Sequence, residues 1–327
     1  MYINSSSPGS SQPALFPPTE HIVIRKQHEM TTNIANISCL PYTLRVNFEP
    51  YTTQECGMMV VNENDKEDVG WLWWGNQANT IILLVLVFLW ILKKLIFATQ
   101  HRWFAYVMHL CTKDEFEPLE EVKRDHFASM SSIISQDPEL RKKNAIKILE
   151  IGVGTGVNLA HYPKGSHLVV VDPNPNFKSY YDSNKEKFSN ILTEEFFVTT
   201  GDDMGMIDEG SVDVVVVTLV LCSVNNIGKV LREILRVLAP GGKFYFMEHI
   251  VEFDVKKHWW RRQMQDIFTH WLPVWPIVFD GCQLNRDMLP DIQKAGFSKV
   301  EAEKYYAPVP HWVFDPERPN LKGVATK

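Results

Sequence analysis

The chain has 327 residues, of which 45% are hydrophobic and 22% are charged. It is therefore long enough for one large or two modest domains with full cores, and it is not a disordered polyelectrolyte. A formal net charge of -6 argues against nucleic-acid binding through bulk electrostatics, and five cysteines without a CxxC pair exclude a disulfide scaffold and a cysteine-based zinc site.

Residues 1–68 predict a poorly ordered N-terminal extension without a core of its own. The opening is rich in serine and proline, and no helical or strand period of apolar residues follows it. The segment closes with an acidic cluster at Glu63, Asp65, Glu67 and Asp68.

A hydrophobic segment comes next. Val69–Leu92 contains no charged residue, and Ile81–Leu92 is apolar throughout. Tryptophans near both ends and two lysines directly after the run are typical of a segment that enters a bilayer. Several amide side chains near its start argue against a full span, since a spanning helix needs about 20 mostly apolar residues. Residues 69–114 therefore predict a membrane anchor with a basic juxtamembrane segment, and a buried helix of the soluble domain is the alternative.

Residues 115–327 predict an α/β domain, because apolar runs bounded by turn residues alternate with helical stretches. Helices are predicted at Asn225–Leu238, at Asp287–Ala295 and from near Val157. The predicted strands are Ile146–Ile151, His167–Val171, Glu195–Thr200, Val212–Leu219, Lys243–His249, Lys299–Lys304 and Leu321–Thr326.

Three alternating glycines, Gly152, Gly154 and Gly156, follow the first predicted strand directly. Glycine permits backbone torsions that other residues avoid and lets a ligand lie against the main chain. The spacing is GxGxG, and position 157, where a dinucleotide fingerprint needs its third glycine, is a valine, so the dinucleotide fingerprint is not matched. No Lys-Ser/Thr pair follows, so a phosphate-binding P-loop is excluded as well.

Carboxylates stand at successive strand ends beside this loop. Asp172 ends the second strand and is placed to accept both hydroxyls of a ribose. Glu150 is placed to orient the loop or to meet the cationic end of a ligand through water. Asp202, or the adjacent Asp203, is placed to accept the exocyclic amine of adenine. The alternatives are a turn residue before Pro173 for Asp172 and a helix N-cap for Asp202, but the register of all these acids with the loop favours a nucleoside site.

The same residues resemble the class I S-adenosylmethionine-dependent methyltransferases. Four longer stretches resemble the methyltransferase-like 7 family, which are membrane-associated thiol S-methyltransferases of the endoplasmic reticulum and lipid droplets. An apolar anchor before the catalytic domain also fits that family, whereas the 68 residues ahead of it do not. The matching motifs are Glu150–Gly156, Asp172, Asp213 and Leu235–Gly242 for the superfamily, and Val171–Phe177, Thr218–Val224, Phe244–His249 and Phe279–Cys282 for the family.

The resemblance implies a Rossmann-like, seven-stranded, mostly parallel sheet with helices on both faces, preceded by the membrane-anchor helix. It implies S-adenosylmethionine as cofactor, with Leu219 added to the cofactor-binding candidates, and neither a metal nor a nucleic-acid partner. The implied activity is direct, in-line methyl transfer to small apolar thiols. The implied location is the endoplasmic reticulum membrane or lipid droplets, with the catalytic domain facing the cytosol.

Two side chains are candidate catalytic groups for a thiol acceptor, which must reach its thiolate form. His249, at the end of the fifth strand, is the first candidate base, and Asp280 is the second. A structural histidine bonded to Glu248 or to the loop is the alternative for His249, and a turn residue before Gly281 is the alternative for Asp280.

The surroundings of the acceptor are less specific in the sequence. Cys222 either lines the pocket or packs in the core. The Trp- and Pro-rich region from His258 to Phe279 predicts an apolar acceptor cover that touches the membrane, or else an ordinary helix pair over the sheet. Rival functions are O- or C-methylation of a lipid or quinone, and a membrane scaffold with a vestigial cofactor site.

Overall fold

A computed structural model describes residues 63–113, 116–189 and 191–327, without the side chains of residues 63–76, 193 and 194. The chain divides into two units, Met1–Asp65 and Lys66–Lys327, and the second contains nearly all of the described elements. The predicted N-terminal extension lies outside the described residues, apart from its last six positions.

Eight α-helices are labelled among the described residues. The longest is α1, a continuous 49-residue helix. A π-helical turn, Ile267–Trp271, follows α6. The helices are α1 (Glu63–Cys111), α2 (Glu117–Phe127), α3 (Pro138–Lys142), α4 (Lys178–Lys185), α5 (Ile227–Val237), α6 (Val255–Asp266), α7 (Val274–Val278) and α8 (Leu289–Lys294).

The strands form one seven-stranded sheet with the order β3-β2-β1-β4-β5-β7-β6. The pairs up to β5 are parallel, and β7 runs antiparallel to both β5 and β6. This confirms the predicted seven-stranded, mostly parallel sheet. The strands are β1 (Lys147–Ile151), β2 (His167–Val171), β3 (Leu192–Phe197), β4 (Val212–Thr218), β5 (Leu238–His249), β6 (Lys299–Tyr306) and β7 (Pro319–Thr326).

Both faces of the central strands are buried, which explains why they read as continuous apolar runs rather than alternating ones. Leu149 packs into the core cluster beneath α5, whereas Ile148 packs into the cluster on the opposite face, with Phe127 at the end of α2. Asn226 is the N-cap of helix α5, and its side chain accepts a hydrogen bond from the Lys229 amide. Such a cap satisfies a backbone donor that would otherwise lack a helical partner.

The predicted helix from Val157 is wrong: the described chain forms turns there and a single 3-10 turn, Leu159–His161. Pro163 explains the difference, because proline disfavours a helical conformation in the residue before it. Tyr162 is accordingly extended, with φ -80° and ψ 142°.

The third strand lies three residues earlier than predicted. Pairing with β2 aligns His167 with Leu192 and Val171 with Phe197, and an irregularity beside Leu168 absorbs one extra residue of β3. The alternation of apolar residues does not reveal these strand bounds, because a bulge within the strand shifts the pattern of inward-facing residues by one position.

The apolar part of α1 is not covered by the rest of the described protein, so the alternative of a buried core helix is not supported. Side chains of Ile81–Leu92 expose 40–63% of their surface. The section Gln77–Cys111 is long and apolar enough to cross a membrane. The C-terminal end of α1 packs on the sheet domain, where Ala105 is fully buried.

Candidate active site

The glycine loop bends directly out of β1 at the carboxyl edge of the sheet. Its first amide, Gly152 N, donates to Val171 O at 2.7 Å and thereby ties the loop to the end of β2. A Cβ on Gly152 would overlap the Val220 side chain, whereas a Cβ on Gly154 would meet nothing within 4 Å. Gly154 has φ +54°, so its bare backbone borders open space in a conformation that favours glycine. A ligand can therefore approach the main chain at this point.

Asp172 lies beside that open backbone. Its Oδ2 accepts a hydrogen bond from Gly154 N and its Oδ1 one from Asn174 N, both at 2.9 Å. Burial raises the pKa of Asp172 to about 6, although these two backbone donors partly oppose the shift. Each carboxylate oxygen keeps lone pairs free for a further donor, so Asp172 combines a fixed position with spare accepting capacity.

Glu150 is buried beneath the loop, with 1% of its surface exposed. Its Oε1 accepts a hydrogen bond from Asn158 Nδ2 at 2.8 Å. Its Oε2 makes no hydrogen bond of ordinary geometry among the described residues. Burial raises the pKa of Glu150 to about 7, although the Tyr162 hydroxyl lies near enough to the carboxylate to oppose the rise of its pKa. The contact with Asn158 fits the predicted role in orienting the loop, and the free oxygen leaves a polar contact for a ligand or water.

The other predicted cofactor residues are more exposed. Asp202 and Asp203 both lie on the surface after β3. Leu219 exposes 47% of its surface, and its amide donates to Met247 O at 2.8 Å. Leu219 also has a positive φ of 57°, a strained conformation for a leucine. Its backbone is therefore fixed, while its side chain stands free at the same edge of the sheet.

Glu248 has a role that the sequence analysis did not identify. One carboxylate oxygen accepts the amides of Val220 and Leu221 at 2.9 Å each, and the other accepts the amide of Cys222 at 3.3 Å. A fully buried carboxylate thus holds the loop after β4 in place. The only signal in the sequence was its place in the motif at Phe244–His249, because the contact joins residues that are far apart along the chain.

His249 is the last residue of β5, as predicted, but it is enclosed. It is 5% exposed, and its Nε2 lies 2.7 Å from Cys282 Sγ. Cys222 is buried in the same core cluster as Cys282. The structure therefore joins three side chains that the sequence analysis considered one by one or passed over.

Asp280 lies at the end of the cover, with a positive φ of 45°, as a turn residue before Gly281 would have. Its Oδ2 contacts His101 Nδ1 of α1 at 3.2 Å. The carbonyl of the same His101 accepts a hydrogen bond from the side chain of Asn174, whose amide donates to Asp172. Asp280 is thus placed near the candidate cofactor site.

Helix α1 forms part of this site, which the sequence analysis did not predict. The Asn174 side chain donates to His101 O at 2.8 Å, and Thr112 Oγ1 lies 2.9 Å from Thr155 Oγ1 of the glycine loop. Gln100 Nε2 donates to Ile277 O of α7 at 3.0 Å. The last turns of the apolar helix therefore bridge the loop, the segment after β2 and the cover.

The cover itself consists of α6, the π-helical turn and α7. Trp271 is 82% exposed, whereas Trp275 is buried in the core. Arg261 of α6 is buried and paired with Glu252 at 2.7 Å and Asp315 at 2.8 Å. The cover thus has an exposed aromatic side, and one of its two neighbouring arginines serves an internal ion-pair network.

Comparison with known proteins gives consistent matches. A family model described as Methyltransferase domain matches residues 149–246. The human Thiol S-methyltransferase TMT1A is 36% identical over 239 residues, 73% of this chain and 88% of that protein. The rat Thiol S-methyltransferase TMT1B is 36% identical over 226 residues, 69% of this chain and 86% of that protein. A solved complex of a methyltransferase with the Haloferax volcanii Trm112 activator aligns at 16% identity and a TM-score of 0.47, over 69% of this chain and 96% of that one.

Proposed function

The chain belongs to the methyltransferase-like 7 family of class I S-adenosylmethionine-dependent methyltransferases, and from this premise we propose that it methylates small apolar thiols. The curated relatives are named thiol S-methyltransferases, which supports a sulfur acceptor. The observation that carries the proposal is the pairing of the Asp172 carboxylate with the bare backbone of Gly154 at the carboxyl edge of the sheet.

The residues at this edge fit the cofactor. The Gly154 backbone borders the space that a Cβ would otherwise fill, and Asp172 offers acceptors to the two ribose hydroxyls. The unpartnered Oε2 of Glu150 suits an ammonium group, either directly or through water. Asp202 is proposed for the adenine amine and Leu219 for contact with the adenosine. When bound, S-adenosylmethionine supplies a methyl group on a positively charged sulfur that is a good leaving group.

The protein must then hold an acceptor sulfur in line with that methyl group, at roughly 3–3.5 Å. We assign Asp280 to the acceptor side, because its carboxylate contacts His101, and His101 also accepts a hydrogen bond from Asn174 beside Asp172. The prediction that His249 acts as a base stays a prediction. Its Nε2 is already in contact with Cys282 Sγ, so an acceptor could meet it only after that contact opens.

The deciding experiment incubates the purified full chain with methyl-labelled S-adenosylmethionine and a panel of small thiols, phenols, quinones and lipids. Label transfer to a small thiol such as captopril, without transfer to phenols or quinones, is the expected result. Selective transfer to a lipid or quinone would replace the thiol proposal. A folded protein that binds no cofactor would instead favour the scaffold function.

We further propose that residues 69–114 anchor the protein to the endoplasmic reticulum or to lipid droplets and that residues 115–327 form the methyltransferase domain on the cytosolic side. The exposed apolar surface of Ile81–Leu92 supports the anchor. The orientation follows from the basic residues Lys93, Lys94 and Arg102 on its C-terminal side. Protease treatment of intact microsomes tests it: a tag at the C-terminus should be removed without detergent, and protection of that tag would contradict the proposal.

A further inference from the structure

The carboxyl edge of the sheet contains a second group of chemically active side chains, formed by Cys222, His249 and Cys282. Their sulfur and nitrogen atoms all lie within 4.8 Å of one another, and all three residues are buried. They come from the loop after β4, the end of β5 and the segment after the cover. Two thiols and an imidazole are the ligand types that zinc prefers.

From this arrangement we propose that Cys222, His249 and Cys282 bind one zinc ion, and that the fourth coordination position of this ion is open to a thiol. This proposal corrects the exclusion of a cysteine-based zinc site from the sequence, because the absence of a CxxC pair excludes only sites whose cysteines are close along the chain. Here 60 residues separate the two cysteines in the numbering, and the fold brings them together.

The distances suit a zinc ion after a small adjustment. A tetrahedral zinc ion with bonds of about 2.0–2.3 Å holds its ligand atoms roughly 3.6–3.8 Å apart. His249 Nε2 and Cys282 Sγ, at 2.7 Å, must therefore separate by about 1 Å, which side-chain rotation can supply. No backbone rearrangement is required for three ligand atoms that already converge.

The backbone that carries the two cysteines is fixed before any metal binds. The Cys222 amide donates to the Glu248 carboxylate, and the Gln283 amide donates to Cys222 O at 3.1 Å. Arg286 Nη1 donates to two carbonyls of the same loop, Leu221 O at 2.9 Å and Val224 O at 2.7 Å. Such support keeps ligand atoms within the narrow tolerance of a metal site.

The charges also balance. Zinc binding forms two Zn–S bonds and one Zn–N bond and releases the two thiol protons to solvent. Two thiolates, a neutral imidazole and a divalent cation sum to zero net charge at a site where all three ligands are buried, beside the carboxylates of Glu248 and Glu317. An isolated buried charge would be costly, whereas a neutral cluster is not.

Three protein ligands leave one tetrahedral position, as in zinc sites that act on a bound molecule. A thiol that takes this position loses its proton to solvent and binds as a thiolate, because metal coordination deprotonates thiols, and the cluster then carries one negative charge. This part of the inference depends on the proposed thiol acceptor. The zinc ion would then generate the thiolate of the acceptor, and His249 would not have to act as a base.

The test begins with the zinc content of the full chain, purified in mild detergent and measured by mass spectrometry of the metal. About one zinc ion per chain is expected in the wild type, and Cys222→Ser and Cys282→Ser should each lose most of it. Cys111→Ser is the matched control, because Cys111 is exposed on α1, and it should keep the zinc. Circular dichroism and thermal stabilisation by S-adenosylmethionine establish that each variant is folded.

Cobalt substitution of the wild type makes the ligands visible without any variant. An intense sulfur-to-cobalt absorption band is expected, and addition of a small alkyl thiol should change it. A folded wild type without metal or band, or one whose Cys222 and Cys282 form a disulfide instead, overturns the zinc site. A band that does not respond to thiols overturns the open position. Metal content is measured apart from methyl transfer, so failure of the enzymatic function would be recognised separately.

Discussion

At the scale of single residues, two buried acids shape the candidate cofactor site. Asp172 holds the glycine loop through Gly154 N and the following segment through Asn174 N. Glu150 holds Asn158. Both acids have raised pKa values because burial disfavours their charged forms. A ligand that donates hydrogen bonds to these carboxylates therefore gains from groups that the protein has already oriented.

Asp172→Asn should weaken binding of S-adenosylmethionine by roughly ten- to a hundredfold, since hydrogen bonds to a charged group contribute about 1.5–3 kcal/mol. The amide also presents a donor where the carboxylate accepts a backbone N–H. Isothermal calorimetry on the full chain measures the dissociation constant. Asp182→Asn, on the exposed face of α4, is the control, and equal affinity in the two variants would contradict the assignment of Asp172.

Cofactor binding should release protons near pH 6. Without ligand, the pKa of Asp172 lies near 6 instead of its usual 3.8, so the folded state binds an extra proton between about pH 4 and 6 and loses stability as the pH rises through that range. Ribose hydroxyls that donate to the carboxylate lower this pKa and expel the proton.

Calorimetry at pH 6 in two buffers of different ionisation enthalpy should detect the released proton. The release should nearly disappear at pH 8, where Asp172 and Glu150 are both ionised in the free protein. Equal proton release at the two pH values would contradict the expectation.

Gly154→Ala should weaken cofactor binding more than it destabilises the fold. The new Cβ meets no protein atom within 4 Å, so its cost to the fold is the unfavourable backbone conformation, about 1–2 kcal/mol. Gly165→Ala is closely matched, with φ +81° and open space around its Cβ. Similar melting temperatures are expected for the two variants, with a raised dissociation constant only for Gly154→Ala; a normal affinity there would mean that the cofactor does not lie on this loop.

At the scale of elements, α1 combines two environments in one helix. The side chains of Ile81–Leu92 are exposed and apolar, whereas His101, further along the same helix, contacts Asn174 and Asp280. The sequence indicates the first part through its uncharged run. It does not indicate the second, because His101 and Thr112 read as ordinary residues after an anchor until the fold places the carboxyl edge of the sheet against them.

Replacing Leu86 and Leu89 with arginine should release the protein from membranes. Each arginine in the middle of an apolar span costs about 2.5–3.5 kcal/mol. The matched control replaces the same two residues with alanine, which keeps the helix apolar. The measured quantity is the fraction of protein that sediments with membranes after an alkaline carbonate wash. An unchanged fraction in the arginine variant would show that this segment is not the anchor.

At the scale of the whole molecule, the ligand site is assembled from distant parts of the chain. The loop after β1, the segment after β2, the end of the cover and the last turns of α1 meet at one edge of the sheet. A ligand that binds all of them stabilises the unit Lys66–Lys327 against unfolding as a whole, since binding to the folded state alone shifts the unfolding equilibrium.

A hundredfold excess of S-adenosylmethionine over its dissociation constant should therefore raise the melting temperature by roughly 5–10 °C, which corresponds to about 2.7 kcal/mol. NAD is the negative control, because the loop lacks the spacing of a dinucleotide fingerprint. A thermal shift assay on the detergent-purified chain measures both. Stabilisation by NAD alone would contradict the assigned cofactor.

The seven-stranded, mostly parallel sheet is implied by the family resemblance, whereas local patterns in the sequence predict the strands and the glycine loop with Asp172 at the next strand end. These local patterns depend on neighbouring residues, since strand periodicity, glycine spacing and strand-end acids all lie within short stretches. The local pattern misplaces β3 because of the bulge in its pairing with β2. It predicts a helix from Val157 because it does not account for Pro163.

Which side chains contact each other follows from the three-dimensional fold. The carboxylate of Glu248 reaches the amides after β4, Cys282 reaches His249, and Asp280 reaches His101. Each of these contacts joins residues on different elements, and the number of residues between two positions does not predict how far apart they lie in the fold. Parallel strands direct their carboxyl ends to one edge of the sheet, and that geometry is what gathers the candidate site.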